Sequence, residues 1–200
     1  MELFASTSPS YLILQSLDRA NAYLDGSYRG ELSRLVARLD ALKERLCEKG
    51  IGVVGDEPIK LTVAPKSYGY TGEEIAEYLL EQGMVCEFAD KDFCVMMFTP
   101  QTEESDVDRL EKAMLALERR AEILESIPPL RAARRAMSIR AAMLSPSKEV
   151  DVKDADGLIL AQPSVACPPA VPVVMCGEII DSDAIKCFEY YNIRRIKVTK

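Results

Sequence analysis

Apolar residues recur at helical spacing from Tyr28 onward. Tyr28, Leu32, Leu35, Leu39, Leu42 and Leu46 form the stripe of one helix face, and Gly50 closes it. About three heptads of this kind fit either a dimeric coiled coil or a long helix lying on a sheet or bundle. An earlier apolar run, 9–24, predicts a first helix that ends at Asp25-Gly26-Ser27. Downstream the period changes to two. Ile59-Lys60-Leu61-Thr62-Val63-Ala64 alternates as a half-buried strand does, and 65–70 reads as a loop. Thr71 and Glu74 then make a capping box for a helix whose apolar face is Ile75, Ala76, Leu79 and Leu80, with Gly83 its stop. Two strands follow, 84–88 and 93–98, joined as a hairpin by Ala89-Asp90-Lys91-Asp92. The second strand is apolar on both faces and should be central. Thr102 caps a further helix with Val107, Leu110, Met114, Leu117, Ala121 and Leu124 as its inward stripe. The order from Tyr28 to Leu124 is α-β-α-β-β-α, which predicts an α/β fold of the α+β kind. It is a small open-faced sandwich, helices packed on one side of a mostly antiparallel sheet.

Ile127-Pro128-Pro129 breaks this pattern and marks the expected boundary, giving an N-terminal segment 1–27, an α/β domain 28–126 and a smaller α/β subdomain 127–200. Arg131, Arg134, Arg135 and Arg140 stand among alanines and methionines in a predicted helix, 130–144. They read as a cluster that binds phosphate or nucleic acid, or as a solvated helix face or arginines reaching neighbouring carboxylates. Short strands are expected at 150–152 and 157–161, and an extended proline-rich stretch at 163–172. A helix capped by Asp181 and an alternating strand at 193–198 complete the pattern.

Composition narrows the chemistry. The 200 residues are 48% apolar, enough for a real core, and carry 25 basic against 32 acidic side chains, a net charge of −7. That balance argues against nucleic acid as a main partner. No apolar run approaches the ~20 residues that span a membrane, and Met-Glu-Leu-Phe does not begin a signal peptide, so a cytoplasmic protein is expected. Six cysteines without a CxxC pair read as reduced core residues, and no metal site is expected. The sequence contains no histidine. Ser-His-Asp and Cys-His catalysis, histidine metal sites and histidine proton shuttles are therefore excluded.

Two short blocks carry more specific information. Ser6-Thr7-Ser8-Pro9-Ser10 sets three hydroxylated residues before a proline and an apolar run. With Ser8 as N-cap and Pro9 at the first helical position, this is either a capped helix start or an anion site at a positive helix end. The stretch STSPSYLILQSLDRA resembles a segment of the pyridoxal-phosphate-dependent (PLP-dependent) ornithine/lysine/arginine decarboxylases, where it follows the cofactor-binding lysine by a few tens of residues. Cys167 to Glu178, reading CPPAVPVVMCGE, resembles the C-terminal PPGxPxxxPGE stretch of the same family. Ala170 replaces the usual glycine, and Cys176 stands where many members have proline.

The resemblance implies the small and C-terminal domains of a fold-type-I PLP enzyme, acting on a basic amino acid to release carbon dioxide and a polyamine-pathway amine. It implies a missing large domain that holds the reactive lysine, and a homodimer or higher assembly in the intact enzyme. No lysine here follows the family's His-Lys pattern, so no catalytic residue is expected in this chain, and alone it should be silent and hold no cofactor. Thr7, with Ser6 and Ser8 beside it, matches the hydroxylated position that reaches the cofactor phosphate of the neighbouring subunit. Glu87 matches the small-domain carboxylate near the cationic end of the substrate, and it also suits an ordinary solvent-facing strand position. Glu178 reads as structural, tying down backbone amides, and Tyr68 and Tyr70 flank Gly69 in a loop that borders the site. The other reading of the chain is a non-catalytic α/β binding or regulatory module.

Overall fold

The computed structural model describes residues 10–162 and 172–200, which divide into two compact units. One takes the described residues of 1–87 with Phe93–Glu122; the other takes Phe88–Asp92 with the described residues of 123–200. Both mix helix with small antiparallel sheets, in agreement with the α/β reading.

The first unit opens with α1 (Tyr11–Asp25) and α2 (Tyr28–Lys49). Leu35, Leu39, Leu42 and Leu46 of α2 are buried, and Gly50 ends the helix in the left-handed conformation at φ 93°. Each of these leucines contributes roughly 1.5–3 kcal/mol on burial, so the stripe is the main anchor of α2. The chain continues as β1 (Gly52–Val54) and β2 (Lys60–Ala64). After a 3-10 turn at Pro65–Tyr68 come α3 (Gly72–Glu81), β4 (Cys94–Met97) and α4 (Glu104–Ala116); β3 (Phe88–Ala89) belongs to the second unit. β2 is central, pairing antiparallel with β1 on one side and β4 on the other, Val63 opposite both Val53 and Cys94. Leu61 and Val63 of β2 and Cys94 of β4 are buried together with Ile75 and Leu79 of α3 and Val107 and Met114 of α4.

Four expectations change here. β1 adds a strand that the sequence reading lacks: Ile51-Gly52-Val53-Val54 is too short to show a period. The expected strand 84–88 is reduced to Phe88, which with Ala89 forms β3, because 84–87 runs irregularly; Glu87 N–H reaches the Val95 carbonyl at 2.9 Å. The last helix of the unit starts one residue later than a Thr102 cap requires, since the Thr102 hydroxyl accepts from Thr99 N–H instead. It also stops at Ala116. Leu117 turns extended (φ −59°, ψ 132°), so Ala121 lies outside the helix, as does Leu124, which belongs to the second unit and is 84% exposed.

The second unit holds α5 (Ile139–Leu144), β5 (Ser147–Asp151), α6 (Ser182–Tyr190) and β6 (Arg195–Thr199), with β5 and β6 antiparallel. Its core gathers Val152, Leu160, Val174, Ile180, Phe188, Ile196 and Val198. Asp181 caps α6 by accepting from the Asp183 and Ala184 amides, and β6 buries Ile196 and Val198 while exposing Arg195 and Lys197. The predicted helix 130–144 shrinks to α5. Arg131, Arg134 and Arg135 lie in irregular chain, where the Arg134 carbonyl accepts from Ile179 N–H and Arg135 bridges to Glu178. The expected strand 157–161 survives only as bridges Ile159 to Ile179 and Leu160 to Val198. The cysteines also depart from a uniformly buried set: Cys94, Cys176 and Cys187 are buried, but Cys47 is exposed and Cys86 intermediate.

Candidate functional site

The residue expected to meet a substrate sits in a cleft. The C-terminal end of α3, residues 83–87, the end of β4 and the start of α4 enclose about 330 Å³ of open space. Leu79, Met96, Phe98 and Leu110 give it an apolar wall, and Glu87, Asp106 and Arg109 bring charge to it. Arg109 is already paired with Asp106 at 3.2 Å on the same helix face, which leaves Glu87 as the carboxylate without a cation in that pairing. The segment places Glu87 as the alternation requires: its side chain is exposed, while those of Cys86 and Phe88 on either side are half-buried. Its backbone is fixed by the bond to Val95, so the carboxylate rides on the sheet although no regular ladder runs through it. Aliphatic walls ending in a carboxylate suit an aliphatic chain with a cationic tip. Among the described residues, no lysine lines the cleft.

The other expected positions fare differently. Ser6, Thr7 and Ser8 lie outside the described residues, as do Pro9 and the stretch from Cys167 to Val171 that includes Ala170. Ser10, not Ser8, is the N-cap of α1: it is extended (φ −70°, ψ 128°), and the Ser10 carbonyl accepts from Leu14 N–H at 3.0 Å. Its hydroxyl makes no capping bond.

Tyr68 and Tyr70 are structural. Their hydroxyls donate to the carbonyls of Leu117 (3.2 Å) and Glu118 (2.7 Å), and Arg120 N–H donates to the Tyr68 carbonyl at 3.1 Å. The Arg120 guanidinium lies 4.0 Å from the centre of the Tyr70 ring and 3.1 Å from Glu74. Together these contacts hold the chain that leaves α4, and they are why the helix stops there. Glu178 ties down a backbone amide as expected, accepting from Met175 N–H at 2.8 Å. The third position of this turn requires Gly177, at φ 85°: a side chain there would meet the Met137 carbonyl at 2.5 Å.

Sequence reasoning passed over a cysteine pair at the cleft, of which Cys86 lines it. Cys86 and Cys94 bring their sulfurs within 3.3 Å. Their near-symmetric placement about the turn 89–92 was the available signal.

No family model matches the chain. It is 29% identical to the arginine decarboxylase of Bacillus subtilis (strain 168) over 92% of its own length and 42% of that enzyme's. It is 27% identical to the arginine decarboxylase of Halalkalibacterium halodurans over 90% of its length and 40% of the relative's. Among solved structures, the E. coli constitutive lysine decarboxylase aligns with all of the chain at TM-score 0.68 and 16% identity. The Francisella novicida lysine decarboxylase does so at TM-score 0.73 and 15% identity. These structural likenesses establish a shared fold. The chain spans less than half the length of the relatives it matches, 40–45% in these four.

Proposed function

We propose that the chain is the portion of a PLP-dependent decarboxylase of basic amino acids that follows the cofactor-binding lysine. Residues 28–126 are its small domain, 127–200 its C-terminal domain, and 1–27 the link to a large domain that holds the reactive amine. The observation that carries this reading is the similarity to arginine decarboxylases across nine-tenths of the chain, matched to only two-fifths of those enzymes. The absence of histidine and of any lysine in the Glu87 cleft supports a supporting role for these residues. When bound in the large domain, PLP would supply an electron sink for decarboxylation.

In the assembled, cytoplasmic enzyme, a homodimer or higher assembly, this chain's residues bind and orient. Glu87 meets the cationic end of arginine, lysine or ornithine, the apolar wall packs the aliphatic stem and excludes water, and Thr7, with Ser6 and Ser8, donates to the cofactor phosphate of the neighbouring subunit. Alone, the chain is inactive.

The test is reconstitution with a separately produced large domain and PLP, reading carbon dioxide release from arginine, lysine and ornithine. Activity is expected only in the mixture. Glu87→Gln in the active mixture should raise KM for the basic substrate roughly 10–100-fold, the loss of one charge-assisted contact, about 1.5–3 kcal/mol. Turnover by the chain alone with PLP would refute the reading, and equal KM values for wild type and variant would refute the role of Glu87.

A further inference from the structure

Cys94 is fully buried on β4, and Cys86 is half-buried and lines the Glu87 cleft. The Cys94 thiol donates to the Cys86 sulfur across 3.3 Å. That bond favours the thiolate at Cys86 and holds its pKa below the usual thiol range; the same contact, with burial, pushes Cys94 up. One thiol is thus reachable and disposed to ionise, and the other is shielded behind it. A disulfide needs sulfurs about 2.05 Å apart, so the pair has to close by only a little over ~1 Å.

We propose that Cys86 and Cys94 form a reversible dithiol–disulfide pair, oxidised by low-molecular-weight disulfides of the glutathione class, with Cys86 attacking and Cys94 resolving. The Cys86 thiolate attacks one sulfur of oxidised glutathione, forming a mixed disulfide and expelling one glutathione thiolate. Cys94 gives its proton to that thiolate and attacks the Cys86 sulfur, expelling the second glutathione as a thiolate, which takes up from water the proton that Cys86 released on ionising. Two protein thiols lose two electrons in all, and one glutathione disulfide becomes two thiols. The closed bond would fasten the segment 84–87 to β4, where it is now joined through Glu87 N–H and the Val95 carbonyl. Oxidation therefore fixes the position of Glu87 at the cleft. The exposed Cys47 on α2 is a built-in control, expected to stop at the mixed disulfide.

The test incubates the reduced full chain with oxidised glutathione, blocks remaining thiols with iodoacetamide and maps tryptic peptides by mass spectrometry. Cleavage after Lys66, Lys91 and Arg109 places Cys86 on 67–91 and Cys94 on 92–109, so the bond appears as a linked peptide pair. The linked pair is expected as the main product at these sites, lost on reduction with dithiothreitol, while Cys47 carries glutathione. In Cys94→Ala, Cys86 should instead retain glutathione. Wild-type protein in which Cys86 carries glutathione beside an alkylated Cys94, or in which both are alkylated while Cys47 is modified, would overturn the proposal.

Discussion

Gly69 shows what a single atom decides in this structure. It stands at φ 93° between two tyrosines, and a Cβ there would lie 2.5 Å from the Arg120 side chain and 2.7 Å from the Ala121 carbonyl. Gly50 has the same φ, but the nearest atom to its Cβ would be 3.9 Å away. Gly50→Ala therefore carries the left-handed penalty alone, about 1 kcal/mol. Gly69→Ala adds a clash that must push the chain after α4 away from Tyr68, and it should lose about 3 kcal/mol. Urea denaturation of the two variants reads this ordering directly, and equal losses would mean that the chain after α4 is not held where it lies. Tyr190 makes a different single-residue case. Burial, and then the hydrogen bond its hydroxyl donates to the buried Asp92 at 2.7 Å, push its pKa up. The folded protein then keeps a phenolic proton that the unfolded chain has lost, so this contribution is whole below the ordinary tyrosine pKa near ~10 and declines as pH rises above it. An alkaline titration of the phenolate band should show one of the eight tyrosines ionising last, together with unfolding, and Tyr190→Phe should remove that step.

At the scale of elements, α2 and α4 are joined by charge as well as by leucine. Arg38 reaches Asp108 and Glu111 at 2.6 Å each, and Arg45 donates to Glu111 at 2.9 Å. Glu111 is only 15% exposed, so its removal leaves two guanidinium groups short of an acceptor at a packed interface, and Glu111→Ala should lower stability by about 2 kcal/mol. Asp108 is 67% exposed, and Asp108→Ala should cost less than ~0.5 kcal/mol. Thermal melts of the two variants check the contrast. None of this cluster was legible in the sequence, because Arg38 and Glu111 meet only after the chain has passed through the sheet. What was legible is local chemistry: the leucine stripe of α2, the Thr71–Glu74 capping box, the Asp181 cap and the alternation of β6 all stand as read. The overlong helix was misread for a different reason, contacts distant in sequence. Periodic apolar residues from Val107 to Leu124 suggest one helix, and the contacts of Tyr68, Gly69 and Tyr70 that end it at Ala116 come from a loop nearly fifty residues earlier. The site divides in the same way: the exposure of Glu87 follows from alternation within its own segment, whereas its cleft is built by α3, β4 and α4.

For the molecule as a whole, the telling element is a long apolar helix that buries nothing. α1 has no buried residue, and Tyr11, Leu12, Ile13, Leu14, Leu17 and Leu24 present their side chains to solvent, Tyr11 at 83% and Leu12 at 75%. A helix of 15 residues is marginal in water by itself. It is held at its C-terminal end by Tyr23, whose ring packs edge-on against Tyr28 at 5.5 Å and whose hydroxyl donates to Glu31 at 2.5 Å. An apolar surface of that extent on one helix drives association when nothing covers it. The isolated chain should therefore gain mass with concentration in sedimentation velocity. Ile13→Lys with Leu17→Lys should hold it at the monomer mass over the same range. The melting temperature should stay within about 1 °C of wild type, because substitutions at exposed positions seldom change stability by more than ~0.5 kcal/mol. A double variant that associates as the wild type does would remove α1 as the sticky face; one that melts much lower would show that α1 supports the fold through those side chains. With both excluded, the exposed face of α1 becomes the surface at which to test docking of the large domain proposed above, by asking whether the same double variant abolishes reconstitution while leaving the Glu87 cleft untouched.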